Sequence, residues 1–151
     1  SDAAGNSATQ ASTSVTKDTS NPTVAITSNS AINSANRTAY PVSGTCSENT
    51  RTVSINVGGV AGSATCTTLA WSTTVNVNAV LDGGSIAITA DHSDAAGNTA
   101  TQATLSVLKD TVIPTVSITS SPTINNANRT AYTVSGNCSE NSRNVAVTVG
   151  T

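Results

Sequence analysis

The sequence predicts an all-β fold: a sandwich of two antiparallel sheets, about seven short strands per unit, arranged in tandem. Three observations predict it. β-Branched residues alternate with polar ones in short runs, as in Thr23-Val-Ala-Ile-Thr27, which is the period of a half-buried strand. Clusters such as Ser47-Glu-Asn-Thr50, Asp82-Gly-Gly84 and Asp94–Asn98 separate these runs and have turn chemistry. The third observation is a repeat. Ser1-Asp-Ala-Ala-Gly-Asn6 returns as Ser93-Asp-Ala-Ala-Gly-Asn98, and Pro22, Cys46 and Gly58 match Pro114, Cys138 and Gly150, each offset by 92 (138 − 46 = 92). No gap is needed, and about two-thirds of the overlapping positions are identical, which marks a tandem array.

Taken in order, the elements of one period are these. Thr23–Thr27 follows Pro22 and suits an edge strand. Tyr40, Val42, Gly44 and Cys46 share one parity, and Val53, Ile55 and Val57 share another, so two strands flank the turn at 47–50. Gly58-Gly59 breaks the pattern. A fourth strand is expected near Ser63–Thr68, and Trp71, Thr73, Val75 and Val77 make a fifth. Ile86 and Ile88 mark the sixth, and Ala100–Leu108 closes the unit before Lys109-Asp110. Trp71, Val42, Ile55, Ile88 and Val107 are the expected core. Residues 1–17 then read as the last strand of a preceding repeat, 18–109 as a complete repeat, and 110–151 as the first strands of a following one. Because the chain opens in mid-repeat, a longer parent protein is expected.

Composition narrows the function. Hydrophobic residues are 36% and aromatics 2%, with no Phe and no Met, so each unit has a modest aliphatic core that needs extra fastening. A net charge of −2 with scattered Lys and Arg gives no basic stripe for nucleic acid. No run approaches the length of a membrane span. An enzyme is disfavoured: His92 is the only histidine, and Ser93 and Asp94 stand beside it in sequence, the wrong spacing for a triad. His92 is expected at the surface. The Gly-Gly pairs lack the context of a phosphate loop.

Strand polarity gathers the acidic residues. If strands alternate up and down, the second, fourth and sixth all end at the pole where the first begins. Asp18, Glu48, Asp91 and Asp94 would then meet at the junction with the preceding domain, with Asp110 and Glu140 as the equivalent half-site downstream. Clustered carboxylates repel unless a cation joins them, and calcium prefers such oxygens. The alternative is an Asx turn at Asp94 with Asp18 and Glu48 solvated. Cysteine supplies a second fastening. Cys46 and Cys66 form a pair within the complete repeat, and the partner of Cys138 would fall at 158 (66 + 92), beyond the chain. One disulfide per domain accounts for this count; two free thiols are the alternative.

Asp-Ala-Ala-Gly-Asn, then a strand ending in Lys-Asp-Thr with Pro22 or Pro114 shortly after, resembles the bacterial Ig-like repeats of large surface adhesins and biofilm-associated proteins. Val42-Ser-Gly-Thr45 followed by Glu48, then Trp71 and Leu81-Asp-Gly83, strengthens the resemblance. The cysteines and Ala70-Trp71-Ser72 depart from it. The resemblance implies an Ig-like sandwich, an extracellular home, calcium at domain junctions and neighbouring repeats as partners, with self-association into fibres also open. A spacer or stalk in a long adhesin or filament is the function expected. An adhesive module using its loops and a strand-exchanging subunit are the alternatives. Near-identity between copies favours the spacer, since a binding tip is usually a single divergent domain.

Overall fold

The computed structural model describes residues 1–28 and 30–150. Seven strands make up the complete repeat: β1 (Val24–Ile26), β2 (Tyr40–Cys46), β3 (Thr52–Val57), β4 (Val60–Thr65), β5 (Ala70–Val75), β6 (Gly83–His92) and β7 (Ala103–Lys109). They form two sheets, ordered β1-β2-β5 and β4-β3-β6-β7, with every pairing between these strands antiparallel. The chain crosses between sheets after β2, β4 and β5, which is the Greek-key pattern of an immunoglobulin-like sandwich. No helix occurs among the described residues.

Alternation fixes which side chains face inward. Along β2, Tyr40, Val42, Gly44 and Cys46 are buried while Pro41 and Thr45 are exposed; along β3, Val53, Ile55 and Val57 are buried. Trp71, Ile88 and Val107 join them, so all five expected core residues lie in the core. Polar atoms brought inside are satisfied. The Tyr40 hydroxyl donates to the Ser30 carbonyl (2.6 Å), and burial raises its pKa. Trp71 Nε1 donates to the Thr45 carbonyl (3.1 Å).

Two turns place β4 earlier than the sequence suggests. Gly58 and Gly59 both have positive φ (57° and 92°), the conformation of a tight hairpin turn. They pair Val57 with Val60, so the strand begins at Val60 rather than near Ser63. Thr68 and Leu69 turn the same way, with φ of 52° and 61°, and end it before 68. Leu69 is held there by a hydrogen bond from its N–H to Asn49 Oδ1 (2.9 Å).

In the loop after β1, Ile32 is fully buried and forms a parallel bridge to Lys109. Its N–H donates to the Leu108 carbonyl (2.8 Å), and its carbonyl accepts from Asp110 N–H (2.9 Å). The next copy starts in the same way. β8 (Val116–Ser120) and β9 (Ser135–Cys138) pair Val116 with Cys138, the register of Val24 with Cys46 moved by 92. Residues 1–17, expected as the last strand of a preceding repeat, lie exposed outside any sheet. Their counterpart β7 is held by pairing with β6.

Candidate functional site at the two poles

The antiparallel ladder sets where the loops gather. β1 starts at one pole, where β2 and β6 end, and β7 finishes at the other. At the first pole the turn 94–98 is closed by its own side chains. Asp94 accepts the Asn98 N–H on Oδ1 (2.8 Å) and the Asn98 side-chain amide on Oδ2 (2.7 Å). That amide is the largest cause of a lowered Asp94 pKa. The exposed copy builds the same turn from Asp2 and Asn6, where Asn6 donates to Asp2 at 2.9 and 2.8 Å. The turn is therefore self-sufficient, with Gly5 and Gly97 supplying the positive φ (90° and 94°).

Asn98 also reaches beyond its turn. Its side-chain nitrogen donates to the carbonyl of Asp18 (3.2 Å), eighty residues away. Around it, the Ser47 hydroxyl accepts from Thr23 N–H (2.9 Å). His92 is buried rather than at the surface as the sequence suggested, because β6 alternation puts it on the same inner face as Ile88 and Ala90. Its Nε2 accepts from the N–H of Glu48 (3.3 Å), and Nδ1 faces the Thr52 carbonyl (3.1 Å). That pairing assigns the proton to Nδ1.

The acidic residues of the expected calcium site are engaged singly. Asp18 caps Ser20 N–H (3.0 Å), and Asp110 caps Val112 N–H (2.9 Å) in the same Asx turn one repeat on. Both oxygens of Asp91 accept from Gln102 Nε2 (3.0 Å each). Glu48 contributes its backbone N–H to His92, and Glu140 its carbonyl to Cys138 Sγ (3.5 Å). Among the described residues, no three His, Cys, Asp or Glu side chains stand together as metal ligands. Calcium asks for six to eight oxygens around one point, backbone carbonyls included, and such a set would have to draw on both repeats at a complete junction. Cys46 and Cys66 do meet, in a disulfide joining the two sheets with a Cα–Cα distance of 6.0 Å; Cys138 is free and exposed.

The opposite pole holds a cluster that the sequence did not single out. The Lys109 side chain is only 3% exposed, and its Nζ donates to the Val80 carbonyl (2.6 Å) and to Asp82 Oδ1 (2.9 Å). Asp82 Oδ2 accepts the N–H of Thr111 (2.9 Å), and the Thr111 hydroxyl lies within 3.1 Å of both carboxylate oxygens. The Thr111 N–H is the largest cause of a lowered Asp82 pKa, followed by Lys109. The available signal was that Leu81-Asp-Gly83 and Lys109-Asp-Thr111 both belong to the motif of the repeats the chain resembles. Read separately, they are a turn and a linker.

The lowered pKa values of Asp82 and Asp94 set a pH dependence. Because each folded-state value lies below the unfolded one, the stability they add is present above the ordinary carboxylate range. It is lost as pH falls through the folded values. The melting temperature is expected to drop as pH falls below the ordinary carboxylate range of about 4, and Asp82→Asn should remove part of that drop. An unaltered acid profile in the variant would show that the Asp82 contacts add nothing.

No family model matches the chain, and no curated protein matches it. Among solved structures it is similar to a bacterial immunoglobulin-like domain from the M. primoryensis ice-binding adhesin. That match is 24% identical with a TM-score of 0.45, over 61% of this chain and all of that domain. A structure bearing on host cell surface retention of a 1.5-MDa bacterial ice-binding adhesin is 25% identical with a TM-score of 0.44. There the match covers 69% of this chain and 38% of the other. The chain is thus similar to bacterial immunoglobulin-like domains of adhesins, the kind of repeat its own motifs resemble.

Proposed function

We propose that the chain is a spacer, a stretch of stalk in a long extracellular bacterial adhesin or surface filament that carries a binding tip away from the cell. One observation supports this reading above the others. An odd number of antiparallel strands brings the chain in at one pole and out at the opposite one. Each added period therefore adds length instead of folding back. β6 alone runs for 10 residues, about 33 Å at the rise of a strand. The buried Cys46–Cys66 bond suits an oxidising, extracytoplasmic location. Near-identity between copies suits a repeated spacer.

Small-angle scattering on chains lengthened by one or two periods tests the reading. The maximum dimension is expected to grow by about 40 Å per period, the length of one strand layer with its turns. Growth of less than half that would mean a folded-back or coiled array and would exclude the spacer. Specific binding of a single repeat to a cell surface would favour the adhesive module.

A further inference from the structure

The two poles each hold half of a contact to the same linker, and the 92-residue offset puts the halves together. In Lys17-Asp18-Thr19 the carbonyl of Asp18 is held by Asn98 of the repeat that follows it. In Lys109-Asp110-Thr111 the N–H of Thr111 is held by Asp82 of the repeat that precedes it. Asp18 and Asp110 are equivalent positions (110 − 18 = 92), as are Thr19 and Thr111 (111 − 19 = 92). The Asp carbonyl and the Thr N–H belong to one peptide group.

We infer that, between two complete repeats, the Asp–Thr peptide of the linker is a metal-free clamp. Its N–H is bound by the Asp82 carboxylate of the preceding repeat and its carbonyl by the Asn98 amide of the following one. This rests on the spacer reading and gives it a source of stiffness. In a trans peptide these two groups point to opposite sides, and no freely rotating bond lies between them, because rotation about C–N meets a barrier of about 18–20 kcal/mol. The chain contains no cis peptide bond among its described residues. The neighbouring atoms are fixed as well. Asp110 N–H is bound to Ile32, its carboxylate caps Val112, and the ammonium of Lys109 is buried beside Asp82. The bond that the Asp82 carboxylate accepts from Thr111 N–H is charge-assisted, the stronger kind of hydrogen bond. The partner surface of each repeat is therefore the opposite pole of the next copy, met through one shared peptide.

The test uses this chain lengthened by one period, so that a complete repeat stands on each side of one linker. Residual dipolar couplings are measured in EDTA and then with calcium. The parent is expected to give one alignment tensor for both repeats in EDTA. Asn98→Ala in the following repeat, or Asp82→Ala in the preceding one, should give two tensors. Amide exchange at the linker Thr should quicken by about tenfold when the Asp82 partner is removed, the worth of one hydrogen bond. If Asp82→Ala unfolds its repeat by stranding Lys109, Thr111→Pro removes the same N–H from outside the sandwich. A single tensor that survives these variants overturns the clamp, as does a parent that becomes rigid only when calcium is added. A parent whose repeats move independently in both conditions also overturns it. The scattering increment then judges the spacer reading separately.

Discussion

Replacing Gly44 with alanine is expected to prevent the sandwich from closing. Gly44 lies on the inner face of β2, opposite Ile26 of β1 and Trp71 of β5. A Cβ at this position would stand 1.8 Å from the carbonyl oxygen of Ala25 and 2.6 Å from Cζ2 of the Trp71 indole. A side chain could swing aside. The carbonyl belongs to the backbone beside β2, so relief requires β1 to separate from β2 while the indole leaves its slot. Insertions into packed cores usually cost about 1–3 kcal/mol. Here the overlap is with backbone on one side and the largest core side chain on the other, so a loss above about 4 kcal/mol is expected. Trp71 is the only tryptophan, and its fluorescence during urea unfolding reads the core directly. An alanine variant with a midpoint close to the parent's would show that β1 yields easily. The copy repeats the constraint: a Cβ at Gly136 would stand 2.2 Å from the Ser117 carbonyl oxygen. Close approach of the backbone thus accounts for glycine in both Val-Ser-Gly segments.

The second large effect belongs to the disulfide. Cys46 ends β2 and Cys66 follows β4, so the bond ties one sheet to the other across a separation of 20 residues. Both cysteines are almost fully buried. Closing a loop of that size restricts the unfolded chain by about 3 kcal/mol. For a domain of this size, that corresponds to a melting temperature lower by about 15 °C. The double variant Cys46→Ala/Cys66→Ala should show the loss, and Cys138→Ala should leave the melting temperature unchanged. Thiol labelling of the unreduced, unfolded chain should mark one cysteine. Three marks, or a double variant as stable as the parent, would contradict the assignment.

Much of this fold was legible because a strand has a period of two. The parity of Tyr40, Val42, Gly44 and Cys46 named the inner face of β2 before any partner was known, and those residues are the ones buried. The up-and-down order of the strands likewise brought Asp18 and Asp94 to one pole, where Asn98 joins them. Polarity locates a loop but does not say where its side chains point. Asp91 alternates outward along β6 and meets Gln102 instead of another acid. His92 seemed exposed because it adjoins a turn; its partners, Glu48 and Thr52, are at least 40 residues away in sequence. The Asp82–Lys109 pair was hidden by a separation of 27 residues. A lysine at a strand end is ordinarily a solvated residue.

The bridge at Ile32 has a consequence for a chain under tension. A pull along the array drags β1 toward the pole where the chain comes in and Lys109 toward the pole where it leaves. Ile32 and Lys109 run parallel, so the pull slides one segment past the other along their length. The two hydrogen bonds of Ile32, its N–H donating to Leu108 and its carbonyl accepting from Asp110, lie across that motion and must yield together. A hairpin pulled open from its end surrenders its bonds one at a time. Resistance to force is governed by the rate of unfolding rather than by equilibrium stability. These two bonds beside one buried isoleucine therefore bear on how long a loaded repeat holds.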